Sequence, residues 1–194
     1  MFRSSIVFFS GVAVALAAGW LAFPRALYKA ETQPFQFSHR VHTGEKGGMK
    51  CEDCHTLRAD GTFTGVPRLE KCAGCHAAPM GTTPDEKLFV EKFVTPGREV
   101  AWKVYSRQPD NAYFPHAWHV NVAKLQCERC HGEHGKSDKL PRFEENRISG
   151  YSADIQGASL VRVGAGRGPG LKMTDCEHCH SEKGVTTACI DCHK

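Results

Sequence analysis

The sequence is poor in the signals from which a conventional folded domain is predicted. Its apolar residues show little helical or strand periodicity, so their spacing does not indicate a packed hydrophobic core. The glycine-rich run at 163–170 lacks the Gly-Lys-Ser/Thr of a phosphate-binding loop and the glycine spacing of a dinucleotide fingerprint. We therefore predict a surface loop or a subunit contact there, within an insertion over residues 137–170.

No cysteine stands alone. All ten fall in Cys-x-x-Cys pairs, and a histidine follows each pair directly. Zinc knuckles, redox dithiols and disulfides account for paired cysteines, but not for a histidine after every pair. Covalent haem attachment accounts for both, because the two cysteines form thioethers to one porphyrin and the histidine binds its iron.

The motifs define five predicted attachment sites, numbered in chain order. In each site the two cysteines would bind the porphyrin and the histidine would be the proximal iron ligand. The residues are, for site 1, Cys51, Cys54 and His55; for site 2, Cys72, Cys75 and His76; for site 3, Cys127, Cys130 and His131; for site 4, Cys176, Cys179 and His180; and for site 5, Cys189, Cys192 and His193.

Five covalent haems c amount to roughly one for every 33 residues outside the apolar N-terminus. At that density the porphyrins form the core. We therefore expect a multihaem cytochrome c fold that is mostly irregular, with short α-helices around the haems and one N-terminal transmembrane helix. The formal net charge of +4 does not indicate a nucleic-acid partner, because ionised propionates on five haems shift it by about −5 to −10.

The N-terminal segment has no charged residue from Ser4 to Pro24. As a helix it spans about 31 Å, enough for one bilayer crossing. A cleaved signal peptide is the alternative, with Ala15-Leu16-Ala17 as its cleavage site. The apolar run continues to Phe23, so we expect an uncleaved anchor over residues 1–28. Because c-type haems are attached outside the cytoplasmic membrane, the body is expected on the periplasmic side.

An internal repeat divides the body. "FQFSHRVHTGEKGGMKCEDCH" and "AYFPHAWHVNVAKLQCERCH" share an aromatic residue, His-x-x-His, a short spacer and a haem motif. The repeat predicts a first module with two haems at 29–80 and a second with three haems at 114–194. In the linker at 81–113, Thr83-Pro84-Asp85-Glu86 predicts a helix start with an N-cap, a first-turn proline and a capping-box glutamate. Its apolar stripe would be Leu88, Phe89, Phe93 and Val94.

Each six-coordinate iron needs a second ligand besides its attachment histidine. Five irons with two histidines each need ten, and the chain has eleven, which favours bis-histidine ligation. Methionine is the rival ligand, needed only if histidines run short; the methionines in question are Met49, Met80 and Met173. The histidines outside the attachment sites are His39, His42, His116, His119, His134 and His178.

The segments "FSHRVH" and "FPHAWH" resemble those of class III multihaem cytochromes, in which two upstream histidines reach the distal faces of different haems. His178 is then the surplus histidine, and is either exposed, bonded to a propionate or a ligand to a neighbouring iron. The resemblance implies as distal ligands His39 and His42 in the first module, and His116, His119 and His134 in the second.

Nearly the whole chain, including the apolar N-terminus, "WKVY" and "LKMTDCEHCHSEKGVTTACIDCHK", resembles the membrane-anchored multihaem subunit of the periplasmic menaquinone reductase complex Qrc. The resemblance implies electron transfer from a soluble periplasmic tetrahaem cytochrome toward menaquinone. The implied partners are an integral membrane quinone-binding subunit, an iron–sulfur subunit and a molybdopterin-enzyme-like subunit. That type of subunit is described with six haems, so a sixth would have to bind here without a Cys-x-x-Cys-His motif.

Two alternative functions remain beside this one. The related pentahaem subunit of alternative complex III would pass electrons from quinol to a cytochrome or an oxidase. A multihaem reductase of nitrite or a similar molecule would need an open iron position, often with lysine replacing the proximal histidine, whereas all five motifs end in histidine. We therefore expect an electron-transfer subunit without a catalytic site of its own.

A pyridine haemochrome assay is expected to give five haems per polypeptide, all retained after acid–acetone extraction, because thioether bonds hold them. An additional, extractable haem would identify a sixth, non-covalent group. Fewer than five retained haems would contradict the prediction that every motif binds a covalent haem.

Overall fold

The computed structural model describes residues 2–22, 26–104, 111–148, 171 and 173–193. Most of the predicted insertion, including the glycine-rich run at 163–170, lies outside these residues. The described helices, in chain order, are α1 (Phe2–Ala17), α2 (His39–Thr43), α3 (Cys51–Cys54), α4 (Leu69–Ala73), α5 (Pro84–Phe89), α6 (Cys127–His131), α7 (Met173–Glu182) and α8 (Cys189–Cys192). Apart from α1 and α7 they are one or two turns long, as expected for a multihaem cytochrome.

Three π-helical segments and one 3₁₀ turn complete the helical structure of the described residues. The π-helical segments are Ala18–Ala22, Val90–Val94 and Ala117–Val122, and the 3₁₀ turn is His134–Lys136. Two short strands, β1 (Tyr28–Glu31) and β2 (Phe143–Asn146), pair in a two-stranded sheet.

The chain divides into two compact units. The first comprises Met1–Ala30 and Glu144–Thr187, and the second comprises Glu31–Phe143 and Ala188–Lys194. In the first unit, the segment Ser4–Ala22 is a continuous helix with a mean hydropathy of 2.0 and no buried residue. This helix is long and apolar enough to cross a membrane.

The hydrophobic core of the second unit gathers around Phe35. Its ring centre lies 5.0 Å from that of Phe89, 5.6 Å from that of Phe93 and 4.8 Å from that of Trp102. Leu69 of α4 is buried beside it, and Cys72 of attachment site 2 packs against the same cluster. The aromatic residue that opens the first repeat therefore anchors the linker helix next to a predicted haem.

This core is small for the length of the chain. Among the described residues, the buried hydrophobic side chains are Phe35, Leu69, Phe89 and Val90. A chain of this size that folded around its own side chains would bury many more. The sparse core fits a protein in which porphyrins supply the missing apolar volume.

The predicted linker helix is present, with two corrections. Thr83 caps α5 and accepts a hydrogen bond from the Glu86 amide at 3.3 Å, as predicted. The expected capping-box contact of Glu86 is wrong, because its carboxylate accepts instead from the amides of Met80 and Gly81, at 2.7 and 2.8 Å. The buried face is formed by Phe89, Val90, Phe93 and Val94.

The predicted position of Leu88 in the buried stripe is wrong. Leu88 is 39% exposed. The buried stripe is formed by two i, i+4 pairs, residues 89 and 93 and residues 90 and 94. Leu88 comes one position before the first pair, and its side chain therefore points away from the stripe.

Replacing Phe35 with alanine is expected to lower the free energy of unfolding of the haem-loaded chain by about 3–5 kcal/mol, because it empties the centre of the aromatic cluster. Leu88→Ala is the matched control on the exposed side of α5 and should cost less than about 1 kcal/mol. Denaturant unfolding followed by far-ultraviolet circular dichroism measures both. Equal losses would show that Phe35 does not organise the core.

Candidate haem-binding sites

The attachment motifs of sites 1, 2 and 5 form the same helical turn. In each one the histidine amide donates to the carbonyl oxygen of the first cysteine: His55 to Cys51 at 2.8 Å, His76 to Cys72 at 3.0 Å and His193 to Cys189 at 2.8 Å. Such a turn places the two cysteines on one side of the backbone and the histidine at its end. This is the arrangement that two thioethers and one iron ligand require.

The motifs of sites 3 and 4 lie entirely within helices. Helix α6 holds Cys127, Cys130 and His131, and the longer helix α7 holds Cys176, Cys179 and His180. The turn after site 4 is closed by the Lys183 amide, which donates to the carbonyl oxygens of Cys179 and His180, both at 3.1 Å. All five motifs therefore include a helical turn, although the role of each residue at a haem stays a prediction.

All ten cysteines lie in the described part of the chain and none forms a disulfide, so each is available for a thioether bond to a porphyrin. In site 2 the amide of Cys75 donates to the Cys72 carbonyl oxygen at 3.1 Å, which begins the turn completed by His76. Most of the thiols are partly buried, among them Cys130 of site 3 and Cys179 of site 4. The exposed ones are Cys75, Cys127 and Cys189.

The two His-x-x-His segments also share one geometry. The second histidine of each stacks on the phenylalanine before it, His42 on Phe37 with ring centres 4.3 Å apart and His119 on Phe114 at 4.4 Å. The first histidine meets the same phenylalanine edge-on, at 4.9 Å in the first segment and 5.0 Å in the second. The sequence repeat is therefore also a structural repeat.

Backbone carbonyls orient the second histidine of each segment. Nδ1 of His42 lies 2.8 Å from the Ser38 carbonyl oxygen, and Nδ1 of His119 lies 3.0 Å from that of Pro115. A ligating histidine commonly donates its other ring N–H in this way, which fixes the tautomer and the ring direction. In both residues Nε2 is then the nitrogen that would bind iron.

Two pairs of imidazoles face each other across attachment sites. The ring centres of His42 and His76 lie 6.0 Å apart, and those of His116 and His131 lie 6.3 Å apart with nearly parallel planes. Two imidazoles that bind one metal from opposite sides at about 2 Å per bond have ring centres about 6 Å apart. The donor set and spacing therefore fit six-coordinate haem iron at sites 2 and 3.

The remaining histidines around sites 1 and 3 lie in a cluster. Burial, followed by the neighbouring His55, His134 and His42, lowers the pKa of His39 to about 4. Burial and the nearby His131 lower the pKa of His55. The imidazoles are thus kept in the neutral form, which is the form that binds iron.

Helix α2 is docked on the turn that carries His134. The Thr43 hydroxyl donates to the Gly135 carbonyl oxygen at 2.5 Å, and the Ser137 hydroxyl lies 3.4 Å from Nδ1 of His39. Arg40 and Asp138 form an exposed ion pair at 2.7 Å, which by its exposure contributes little to stability. The partly buried polar contacts are what bring His39 and His134 close together.

One aromatic side chain that the sequence did not single out lies between sites 1 and 3. The ring of Phe63 is 6.1 Å from that of His55 and 5.1 Å from that of His116. Its loop approaches the segment Ala117–Val122 closely at Gly61, where a Cβ atom would lie 2.5 Å from that of Ala117. Glycine is required there both for this contact and for its φ of +80°.

The second residue missed from the sequence is Glu86. Its carboxylate Oε1 lies 3.0 Å from Nδ1 of His76, and both side chains are largely buried. That nitrogen is enclosed and, in the present ring orientation, is not aligned with any acceptor among the described residues. Its 3.0 Å separation from Glu86 Oε1 is nevertheless within hydrogen-bond range. Burial opposes ionisation of Glu86, but the amides of Met80 and Gly81 and the proximity of His76 outweigh it and lower its pKa.

The surplus histidine and two of the rival methionines are exposed. His178 lies on α7 with a side chain 74% exposed, 3.7 Å from Glu182. Met80 and Met173 are 73% and 54% exposed. In the described part of the chain, no three or more His, Cys, Asp or Glu side chains converge as a zinc site would require.

No protein-family model matches the sequence. The chain is, however, 41% identical over an alignment of 202 residues to the menaquinone reductase multihaem cytochrome c subunit of Nitratidesulfovibrio vulgaris (strain Hildenborough). The alignment covers 96% of this chain and 89% of that relative.

The chain belongs to the family of menaquinone reductase multihaem cytochrome c subunits. The resemblance inferred from its motifs is thereby confirmed. Since the relative is a multihaem cytochrome c, the ten paired cysteines of this family member agree with haem c as the cofactor. The number of haems and the individual ligand assignments stay predictions.

Replacing His42 with alanine is expected to convert one haem from low spin to high spin, because the iron at site 2 loses its facing imidazole. Electronic absorption and electron paramagnetic resonance spectra of the oxidised chain measure the change. His178→Ala is the control, because the side chain of His178 is 74% exposed. A low-spin spectrum in His42→Ala would show that another ligand occupies the site.

Proposed function

We propose that this chain is an electron relay of a menaquinone-reducing complex. Five haems c would carry electrons between soluble periplasmic cytochromes and the membrane quinone oxidoreductase complex. The name of the relative supports this direction over the quinol-oxidising alternative complex III, since it is a menaquinone reductase subunit.

The observation that carries the proposal is that a second imidazole lies about 6 Å from the attachment histidine at sites 2 and 3. When imidazoles lie on both sides of an iron, no coordination position is left for a substrate. Haem c would supply one-electron transfer when bound, and the polypeptide would supply the attachment cysteines and the imidazoles that bind the iron. The chain therefore conducts electrons and leaves quinone chemistry to its partners.

Three ligand pairs are proposed from proximity and a fourth from the repeat. His42 with His76 and His116 with His131 follow from the ring distances. His39 with His55 follows from the equivalence of His39 to His116 in the repeat and from the proximity of His55, which is one of the neighbours that lower the pKa of His39.

His119 is proposed for site 5. The residues just before its segment are hydrogen-bonded to that site, since the Tyr113 amide donates to the Cys192 carbonyl oxygen at 2.7 Å and Ala112 forms an antiparallel bridge with His193. By the repeat, His119 corresponds to His42, which faces the later motif of its own module. His134 stays a candidate distal ligand, and His180 is the proposed proximal ligand at site 4.

Placement at the membrane is proposed from the N-terminal helix. Its apolar, fully exposed surface over Ser4–Ala22 needs a lipid or protein environment. With this helix in the cytoplasmic membrane and the haems on the periplasmic side, the relay would meet both its soluble donor and the quinone-binding subunit. The further proposed partners are an iron–sulfur subunit and a molybdopterin-enzyme-like subunit.

Carbon monoxide tests the relay directly. The dithionite-reduced chain is expected to show no change in its haem absorption bands under carbon monoxide, because on this proposal two imidazoles would close every iron. Nitrite should likewise leave the spectrum unchanged. Rapid, stoichiometric binding of either molecule to one haem would favour a reductase.

A further inference from the structure

Glu86 contacts the proximal ligand of one site on the side away from the iron. Its Oε1 lies 3.0 Å from Nδ1 of His76, and the two side chains are only 15% and 20% exposed. The other oriented histidines described above have neutral acceptors, since Nδ1 of His42 and of His119 face backbone carbonyls. Site 2 thus combines a carbonyl behind one imidazole with a carboxylate behind the other.

The carboxylate is held in place by the fold. The amides of Met80 and Gly81 donate to its two oxygens at 2.7 and 2.8 Å. Phe89, three residues further along α5, meets the His76 ring edge-on at 6.0 Å and is itself part of the buried core. Glu86 and Phe89 therefore lie on one face of α5, and the core that fixes this helix also fixes the carboxylate against the imidazole.

We propose that Glu86 is a positioning residue that holds the haem at site 2 at a low reduction potential by accepting the Nδ1 proton of its proximal histidine in a hydrogen bond. The proposal rests on the proposed haem ligation at site 2. Such a bond makes the imidazole a stronger donor to iron, and stronger donation favours the ferric state. The negative charge acts in the same direction, and its screening by solvent is reduced because the pair is partly buried.

The consequence for the relay is that the reduction potential of the haem at site 2 would be lower than those of haems without such a carboxylate. A haem that favours the ferric state holds its electron weakly, so site 2 gives up electrons readily to its neighbours. The neutral carbonyl behind His119 lacks this effect.

The test is a potentiometric titration of the haem-loaded chain with Glu86→Gln. Glutamine keeps the size and the acceptor oxygen but removes the charge, so the midpoint potential of one haem is expected to rise while the other four stay in place. The haem concerned is identified as the one that His42→Ala converts to high spin. Glu91→Gln is the matched control, because Glu91 is an exposed carboxylate of the same helical segment and should shift no potential.

Glu86→Asp provides a second variant in case the side-chain amide of Glu86→Gln disturbs haem loading. It keeps the charge but withdraws the carboxylate from the imidazole, so a smaller rise in the same potential is expected. An unchanged potential at site 2 in both variants, or an equal rise in Glu91→Gln, would overturn the proposal. Failure of His42→Ala to alter any haem would instead overturn the ligation at site 2, so the two failures are distinguishable.

Discussion

The proposed haem ligation depends on one distance requirement, that two imidazoles can reach a single iron from opposite faces. The His42–His76 and His116–His131 pairs meet it, with ring centres 6.0 and 6.3 Å apart. Since the two members of each pair come from different segments, each haem would join separate parts of the chain as a cross-link. Such cross-links would explain how a chain with so few buried hydrophobic side chains maintains a defined arrangement.

The protein part of the core serves the same requirement. Phe35 begins the first repeat and packs on Phe89 of α5, which in turn contacts the His76 ring. The small aromatic cluster therefore aligns an attachment site, its facing histidine segment and a partly buried carboxylate. In the second repeat, Phe114 supports both histidines of its segment in the same geometry as Phe37 in the first. Aromatic residues thus act mainly as supports for imidazoles.

Sequence reasoning succeeded where chemistry fixes the spacing. Covalent attachment imposes Cys-x-x-Cys-His, and the His-x-x-His repeat preserves its aromatic support, so the family could be inferred from the motifs. Sequence reasoning failed where tertiary contacts determine the position of a side chain. The pattern around Thr83 predicted the start of α5 correctly but gave Glu86 a local contact, while the fold turns its carboxylate toward His76. Phe63, a single aromatic in a polar loop, carried no signal of its position between two imidazoles.

The most direct test of closed, bis-histidine coordination is a spin quantitation of the fully oxidised, haem-loaded chain by electron paramagnetic resonance. If each iron is held by two imidazoles, the spectrum contains low-spin ferric signals and no high-spin ferric signal. The integrated low-spin intensity then equals the covalent haem content. A high-spin signal accounting for one iron per chain would contradict closed coordination of every haem, because it would reveal an open or weakly ligated iron.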